Sequence, residues 1–312
     1  MTKISNDKIC KQVACVTGAT GMIGRIITRK LLERGYYVKI FSRNERTKIA
    51  NAEVIIGDLR DEVSMIRFLA DAQLLFHCAA ELNDESQMWE VNDKGTELLI
   101  KLVGNLNLKY FCYLSSVGVT GRTSEKWVNE ETVCNPVNSY EKSKWAGEQL
   151  VRKGIKGCKV VILRPTNVVD DTNPGQLEVV SNASWKNRLK IFLKGAECAH
   201  VVHAEDVASA ALYFVLHKIK SPSCFIVSYD QDQCNTYSDL FSLCQALTAD
   251  EFTSQNYKPK YLPLVFPHLM RKLIRGTSNW GDVRYSSAKL MSEGFCFEVG
   301  IKNSLKRLIC RL

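Results

Sequence analysis

The stretch QVACVTGATGMIGRIITRKLLER, residues 12–34, restricts the fold more than any other part of the chain. A short apolar run, Val13-Ala14-Cys15-Val16, stops at Thr17-Gly18. Glycines recur at 18, 21 and 24, and an amphipathic pattern begins at Met22. Glycine at a strand end serves a positive φ or a close approach of backbone to something else. Strand, glycine turn and helix in succession describe a helix N-terminus cleared of side chains. Its unpaired N–H groups and dipole favour negative charge.

The same rhythm continues downstream. Strand-like runs at Gln12–Thr17, Tyr37–Ser42, Glu53–Ile56, Gln73–Ala79, Tyr110–Ser115 and Lys159–Leu163 alternate with helical patterns at about 22–34, 62–70, 85–105 and 139–153. Strands this apolar are covered on both faces, which predicts an α/β chain built of βαβ units around a parallel sheet. Right-handed crossovers make it doubly wound, with the ligand crevice at the carboxyl ends of the strands. After Arg164-Pro165 the rhythm breaks. A turn-rich Asp170–Gly175 leads into residues 176–200, which carry no clear strand–helix unit. A helix from His203 to about 217 and a strand at Cys224–Ser228 follow. From Asn235 the chain reads as mainly helical, with YLPLVFP (261–267) as a link. The expected division is residues 1–169 plus about 200–228 for the dinucleotide domain. About 170–199 plus 229–312 would form a smaller, mainly helical substrate lobe.

Composition narrows the function classes. With 312 residues, 46% hydrophobic and 24% charged, this is an ordinary globular composition. The twelve cysteines are scattered without a C-x-x-C pair or a His/Cys cluster, so no metal site is expected, and free thiols in a reducing cytoplasm are. The polar opening MTKISNDKICKQ does not resemble a signal peptide, so none is expected there, and no apolar run approaches the roughly 20 residues of a membrane span. The net charge of +9 comes without a basic run or a nucleic-acid module, so neither a nucleic-acid nor a membrane partner is expected. Arg188, Lys190, Arg271, Lys272 and Arg275 are candidate contacts for an anionic small molecule.

Two stretches carry chemistry. At the end of the second strand an acidic residue would bond a ribose. Ser42-Arg43 stands there instead, with Arg46 and Lys48 behind. A guanidinium suits a 2′-phosphate, favouring NADP over NAD. In SYEKSK, Tyr140 and Lys144 are four apart on a helix and share a face. A nearby ammonium favours the phenolate of a tyrosine whose free pKa is about 10, making it a usable general acid or base. Upstream, Ser115 and Ser116 end the fifth strand, where a hydroxyl can bond a substrate oxygen.

Together these motifs resemble the extended short-chain dehydrogenase/reductase family, the NAD-dependent epimerase/dehydratases, along nearly the whole chain. TGATGMIG is similar to its TGxxGxxG fingerprint, GDLRD (57–61) to its adenine segment, and HCAAE (77–81) to its fourth-strand turn. VNDKGTELL (91–99), YEKSK (140–144), LRPTNVV (163–169) and VVHAEDVASAAL (201–212) follow in the family's order. The resemblance implies a Rossmann fold and a cofactor site of Gly18, Thr20, Gly21, Met22, Ile23 and Gly24, with Arg43, Asp58 and Leu59. Cys78, Ala79, Ala80, Asn92, Pro165, Asn167 and Val168 complete that site. It implies Tyr140 as general acid/base, Lys144 lowering its pKa and holding the nicotinamide ribose, and Ser116 rather than Ser115 orienting the substrate oxygen.

Departures narrow the activity. Dehydratases carry Asp-Glu after the catalytic hydroxyl, where this chain has Val117-Gly118. Thr120 replaces a common tyrosine, and Asp170-Asp171 replace Gly-Pro. The reading that follows is an NAD(P)-dependent reductase acting on the keto group of a nucleotide-linked sugar. An NAD-dependent nucleotide-sugar epimerase is the alternative. A steroid- or flavonoid-type alcohol dehydrogenase and a non-catalytic NADP-binding sensor stand behind it. The family also allows a homodimer.

Overall fold

The apolar runs become parallel strands in the computed structural model, which describes residues 12–181, 184–232, 234–248, 259–275 and 279–310. The main sheet contains β1 (Val13–Thr17), β2 (Tyr37–Ser42), β3 (Ala52–Ile56), β4 (Leu74–His77), β5 (Tyr110–Leu114), β7 (Lys159–Pro165) and β10 (Ser223–Val227). Two short parallel pairs lie outside it: β6 (Trp127–Val128) with β11 (Arg284–Tyr285), and β8 (Asn167–Val169) with β9 (Val201–His203). The main sheet runs in the order β3-β2-β1-β4-β5-β7-β10, all parallel. Thr17 pairs with Phe41 on one side and His77 on the other, so the order reverses at β1 and opens a crevice at the carboxyl ends.

Successive side chains of a strand point to opposite faces, and both faces are buried. Ala14, Val16, Tyr110 and Cys112 pack with α1 (Met22–Glu33) and α8 (Ala204–Leu216). Cys15, Phe111 and Tyr113 pack on the other side with α2 (Glu62–Leu69), α4 (Gly95–Val103) and α5 (Ser139–Arg152). The expected strands and helices are present, with ends that move by a residue or two. The fourth strand stops at His77 because Cys78–Ala80 turn along the crevice.

Three stretches differ from the sequence reading. The helix expected over 85–105 is broken into α3 (Glu85–Met88), a π-helical turn at Trp89–Lys94, and α4. Residues 176–200 hold α6 (Glu178–Ser181) and α7 (Trp185–Lys194), short helices whose pattern is too brief to register in sequence. YLPLVFP is only partly a link, since α10 (Val265–Arg275) begins inside it. Pro267 sits in the first turn of α10, where an N–H has no helical partner to lose.

The remaining helices, α9 (Tyr237–Thr248), α11 (Ala288–Ser292) and α12 (Gly300–Ile309), follow the sheet. The basic C-terminal helix α12 buries Ile301, Leu305 and Leu308. Asp206 of the VVHAEDVASAAL motif anchors it, accepting the N–H groups of Glu298, Val299 and Gly300 at 2.8–3.2 Å. Asp170, which stands where the family has glycine, accepts the N–H groups of Thr172 and Asn173 and pairs with Arg25 on α1. The substituted loop is thereby tied to the glycine-turn helix. Among the described residues no helix is long and apolar enough to cross a membrane.

Candidate active site

A cavity of about 750 Å³ occupies the crevice, within the ordinary range for small-molecule sites. Gly18, Thr20, Gly21, Met22, Ile23 and Gly24 line it from the first turn, and Arg43, Asp58 and Leu59 from the ends of β2 and β3. Cys78, Ala79 and Ala80 line it beyond β4, Ser116 beyond β5, Tyr140 and Lys144 from α5, and Pro165, Asn167 and Val168 around β7 and β8. Because β3 and β2 lie on one side of β1 and β5 and β7 on the other, Arg43 and the Ser116–Tyr140–Lys144 group stand at opposite reaches of the site.

The turn fits a dinucleotide. Gly18 has φ +65°, and a Cβ there would lie 2.6 Å from the Ala79 nitrogen. A Cβ on Gly24 would lie 2.1 Å from the Gly18 carbonyl oxygen, so α1 can press against the turn only without a side chain. No side chain caps the start of α1 and no acid occupies its first turn. An uncapped positive helix end facing a cavity is suited to an anionic group such as a pyrophosphate.

At the β2 end, Arg43 is exposed and has no hydrogen bond or ion pair among the described residues. Asp58 is held differently. Arg60 donates to its two carboxylate oxygens at 2.7 and 2.8 Å, and these bonds hold the carboxyl below its usual range. Arg46 and Lys48, grouped with Arg43 by sequence, do not line the cavity. The chain turns back at Asn44–Thr47, where the Asn44 side chain accepts the Arg46 N–H at 2.9 Å. Asn44 itself lines the cavity, as do Thr17, Phe41, Glu81, Leu82, Val91 and Thr166. Their proximity to the motifs was the only sequence signal for them.

Asn92 lines no part of the cavity and lies one layer behind it. Its Oδ1 accepts the Glu81 N–H at 2.7 Å, and its Nδ2 donates to the Glu81 carbonyl and to Ser143 Oγ, both at 3.0 Å. The π turn directs it at the Glu81 loop, which does line the cavity. A second buried chain supports the β4 turn. Thr96 Oγ1 donates to the Asn92 carbonyl at 2.8 Å, so it accepts from His77 Nε2 at 3.1 Å. His77 Nδ1 then accepts from Thr17 Oγ1 at 2.7 Å, and Thr17 Oγ1 accepts the Ala79 N–H. This direction needs a neutral imidazole. Burial, with the Lys144 charge, pushes the His77 pKa down to about 3.

The two serines separate by environment. Ser115 is buried and donates to Glu148 Oε2 at 2.6 Å. Ser116 Oγ accepts the Gly118 N–H at 3.0 Å and lines the same cavity as the Tyr140 phenol. Lys144 is buried; its Nζ donates to the Leu114 carbonyl at 2.6 Å and sits 4.4 Å from the centroid of the Tyr113 ring. Burial lowers its pKa to about 8.

Sequence reasoning anticipated a depressed Tyr140, whereas burial holds the phenol above its ordinary value, outweighing the lowering influence of Ser116. The reason is desolvation. Phenolate is the charged form, and a half-buried site disfavours it. Behind these groups Glu148 receives Arg164 at 2.7 and 3.0 Å and Arg152 at 2.8 Å. Burial opposes its charge, but the Arg164 bonds keep the carboxyl below its usual range.

A second cavity of about 580 Å³ adjoins the start of α5, with Arg122, Asn138, Glu141, His200, Arg271 and Asn279 in its wall. Of the basic residues singled out by sequence, Arg271 lines it and pairs with Glu197. Arg188 and Lys190 are exposed on α7 and Lys272 on α10, and none of these three lines either cavity; the Arg275 side chain lies outside the described residues.

A parallel sheet reversing at β1, with a glycine turn and an uncapped helix at the crevice, defines a dinucleotide-binding protein of the short-chain dehydrogenase/reductase fold. The chain belongs to the NAD dependent epimerase/dehydratase family, whose model matches residues 14–227. A solved short-chain dehydrogenase/reductase superfamily protein of Agrobacterium tumefaciens with bound NAD superposes with a TM-score of 0.75 at 18% identity, over 96% of each chain. UDP-glucose 4-epimerase of Thermotoga maritima, solved with UDP-glucose, superposes at 0.69 with 22% identity over 96% of this chain and 97% of the other. Sterol demethylase protein B of Methylococcus capsulatus is 29% identical over 58% of this chain. The matches span 52% and 60% of the lengths of two such curated relatives.

Proposed function

We propose that the chain is an NADP-dependent oxidoreductase that reduces a keto group, with a nucleotide-linked sugar as the substrate class. The observation that carries the reading is the convergence of Ser116, Tyr140 and Lys144 on the cavity that the glycine turn opens. A nicotinamide dinucleotide held along Gly18–Gly24, Asp58-Leu59 and Cys78–Ala80 supplies hydride exchange.

The residues' own environments support the other roles. Tyr140, whose phenol burial holds above its ordinary value, donates the proton to the developing alkoxide. The Ser116 hydroxyl steadies that oxygen. Lys144 faces the cavity with an ammonium fixed by the Leu114 carbonyl, suited to holding ribose hydroxyls. Arg43, exposed and without an ion-pair partner among the described residues, supports a 2′-phosphate. Arg122 and Arg271 in the second cavity support an anionic substrate. Val117-Gly118 after Ser116 leave dehydration without an acid–base pair there.

A second reading, a sterol-type alcohol dehydrogenase, draws on the similarity to sterol demethylase protein B. Both readings use the same three residues. The test is to denature the purified protein, identify any released nucleotide, and titrate stripped protein with NADPH and NADH. Tighter NADPH binding that is lost in Arg43→Ala supports the reading. Retained NAD without NADPH preference replaces it with an epimerase. Tyr140→Phe should abolish turnover of nucleotide-linked keto sugars while leaving cofactor binding intact, and undiminished turnover would refute the mechanism.

A further inference from the structure

Helices α7 and α10 present exposed outer faces that no other described residues cover. They pack together, and the strap before α10 is pinned to α7 by the Leu262 N–H donating to the Phe192 carbonyl at 2.8 Å. In a water-facing helix pair the apolar stripe normally turns inward. Here it turns outward, with Leu273 86%, Ile274 76% and Trp185 71% exposed. Phe266, Leu269 and Met270 extend the stripe on α10, and Leu189 and Phe192 extend it on α7. Scattered exposed apolar residues need no explanation, but a contiguous set on adjoining helices marks an interaction surface.

Charge selects the partner. The sequences WKNRLKIFLK and VFPHLMRKLIR contain no acidic residue. Lys186, Arg188, Lys190 and Lys194 lie on the first, and Lys272 on the second, where Arg271 is paired with Glu197. Apolar side chains on helices that carry cations and no acid of their own, and are too short to span a bilayer, are the pattern of elements that lie in a membrane interface. Anionic headgroups attract juxtaposed Lys and Arg, and the chain's net charge of +9 acts in the same direction. The geometry points to the α7–α10 face as a docking surface for an anionic phospholipid bilayer. This departs from the sequence reading, which expected no membrane partner and took the start of α10 for a link. Docking would place the membrane beside the second cavity, because Arg271 of α10 lines it.

The test is co-sedimentation of the full chain with phosphatidylcholine vesicles, with and without phosphatidylserine, at low and high salt. Binding should require phosphatidylserine and weaken as salt rises. It should fall at least tenfold in Leu273→Ser/Ile274→Ser, which keeps the charges, and in Lys186→Glu/Lys190→Glu, which keeps the apolar stripe. All four side chains are exposed, so the variants should unfold at the wild-type temperature. Absence of binding, equal binding to neutral vesicles, or binding indifferent to both variants would overturn the assignment. A dimer in ultracentrifugation that Leu273→Ser/Ile274→Ser dissolves would assign the face to a second copy and overturn it too. Nucleotide affinity is unaffected by any of these outcomes, so the docking and the proposed reaction fail independently.

Discussion

Lys144 gives a sharp quantitative prediction because the fold makes it a stability liability. Burial lowers its pKa from 10.5 to about 8. At about 1.4 kcal/mol per pH unit, that fall is a folding penalty on the order of 3 kcal/mol for the charged side chain. The folded pKa lies below the unfolded one, so between pH 8 and 10.5 the unfolded chain holds the extra proton. Stability therefore rises with pH across that window. The penalty is fully present below it and gone above it.

Lys144→Met removes the penalty. It also strips the Leu114 carbonyl of its donor, at about 1–3 kcal/mol, and the Tyr113 ring of its cation, at about 1 kcal/mol. The two sides nearly cancel at pH 7, so the variant should unfold within about 1–2 kcal/mol of wild type there. By pH 10.5 Lys144 is neutral in the folded wild type, so its cation–ring contact is gone there too; only the lost donor to the Leu114 carbonyl remains, and the variant should be less stable by about 1–3 kcal/mol. Urea unfolding of both proteins at closely spaced pH values measures the difference, in which titrations common to both proteins cancel. A difference that stays flat to within about 0.5 kcal/mol from pH 7 to 10.5 would refute the buried, charged Lys144.

Other perturbations test the scaffold. Glu148→Gln leaves Arg164, fully buried, without its carboxylate and should cost about 3–5 kcal/mol in chemical denaturation, whereas an exposed pair such as Lys94–Glu97 should cost less than about 1 kcal/mol. Gly18→Ala puts a methyl 2.6 Å from the Ala79 nitrogen at a positive φ. It should weaken nucleotide binding at least about tenfold, or ~1.4 kcal/mol, by fluorescence titration, and wild-type affinity would contradict the cradle geometry.

Much of the fold and of the cavity wall was legible in sequence because periodic burial and glycine spacing are local signals. The strand ends, the helices carrying Tyr140 and Lys144, and the turn from Gly18 to Gly24 all follow from neighbours within a few residues. Direction and environment were not legible. Arg43, Arg46 and Lys48 look alike in a row, yet a backbone turn leaves only Arg43 at the cavity. Ser115 and Ser116 are adjacent and both reach the cavity wall, yet Ser115 is buried and committed to Glu148 while Ser116 is not. Asn92 stands behind the wall because a π turn interrupts its helix.

The amino-acid order alone determined the doubly wound class, since runs apolar on both faces must lie between helices, and it determined the dinucleotide turn, since only glycine permits that approach. Tertiary structure decided the rest. A group's pKa depends on which distant side chains desolvate or pair with it, as burial does to Tyr140 and Lys144 and Arg164 does to Glu148. Whether the apolar stripe of α10 faces the core or the solvent likewise depends on what packs behind it, and no periodicity within eleven residues encodes that.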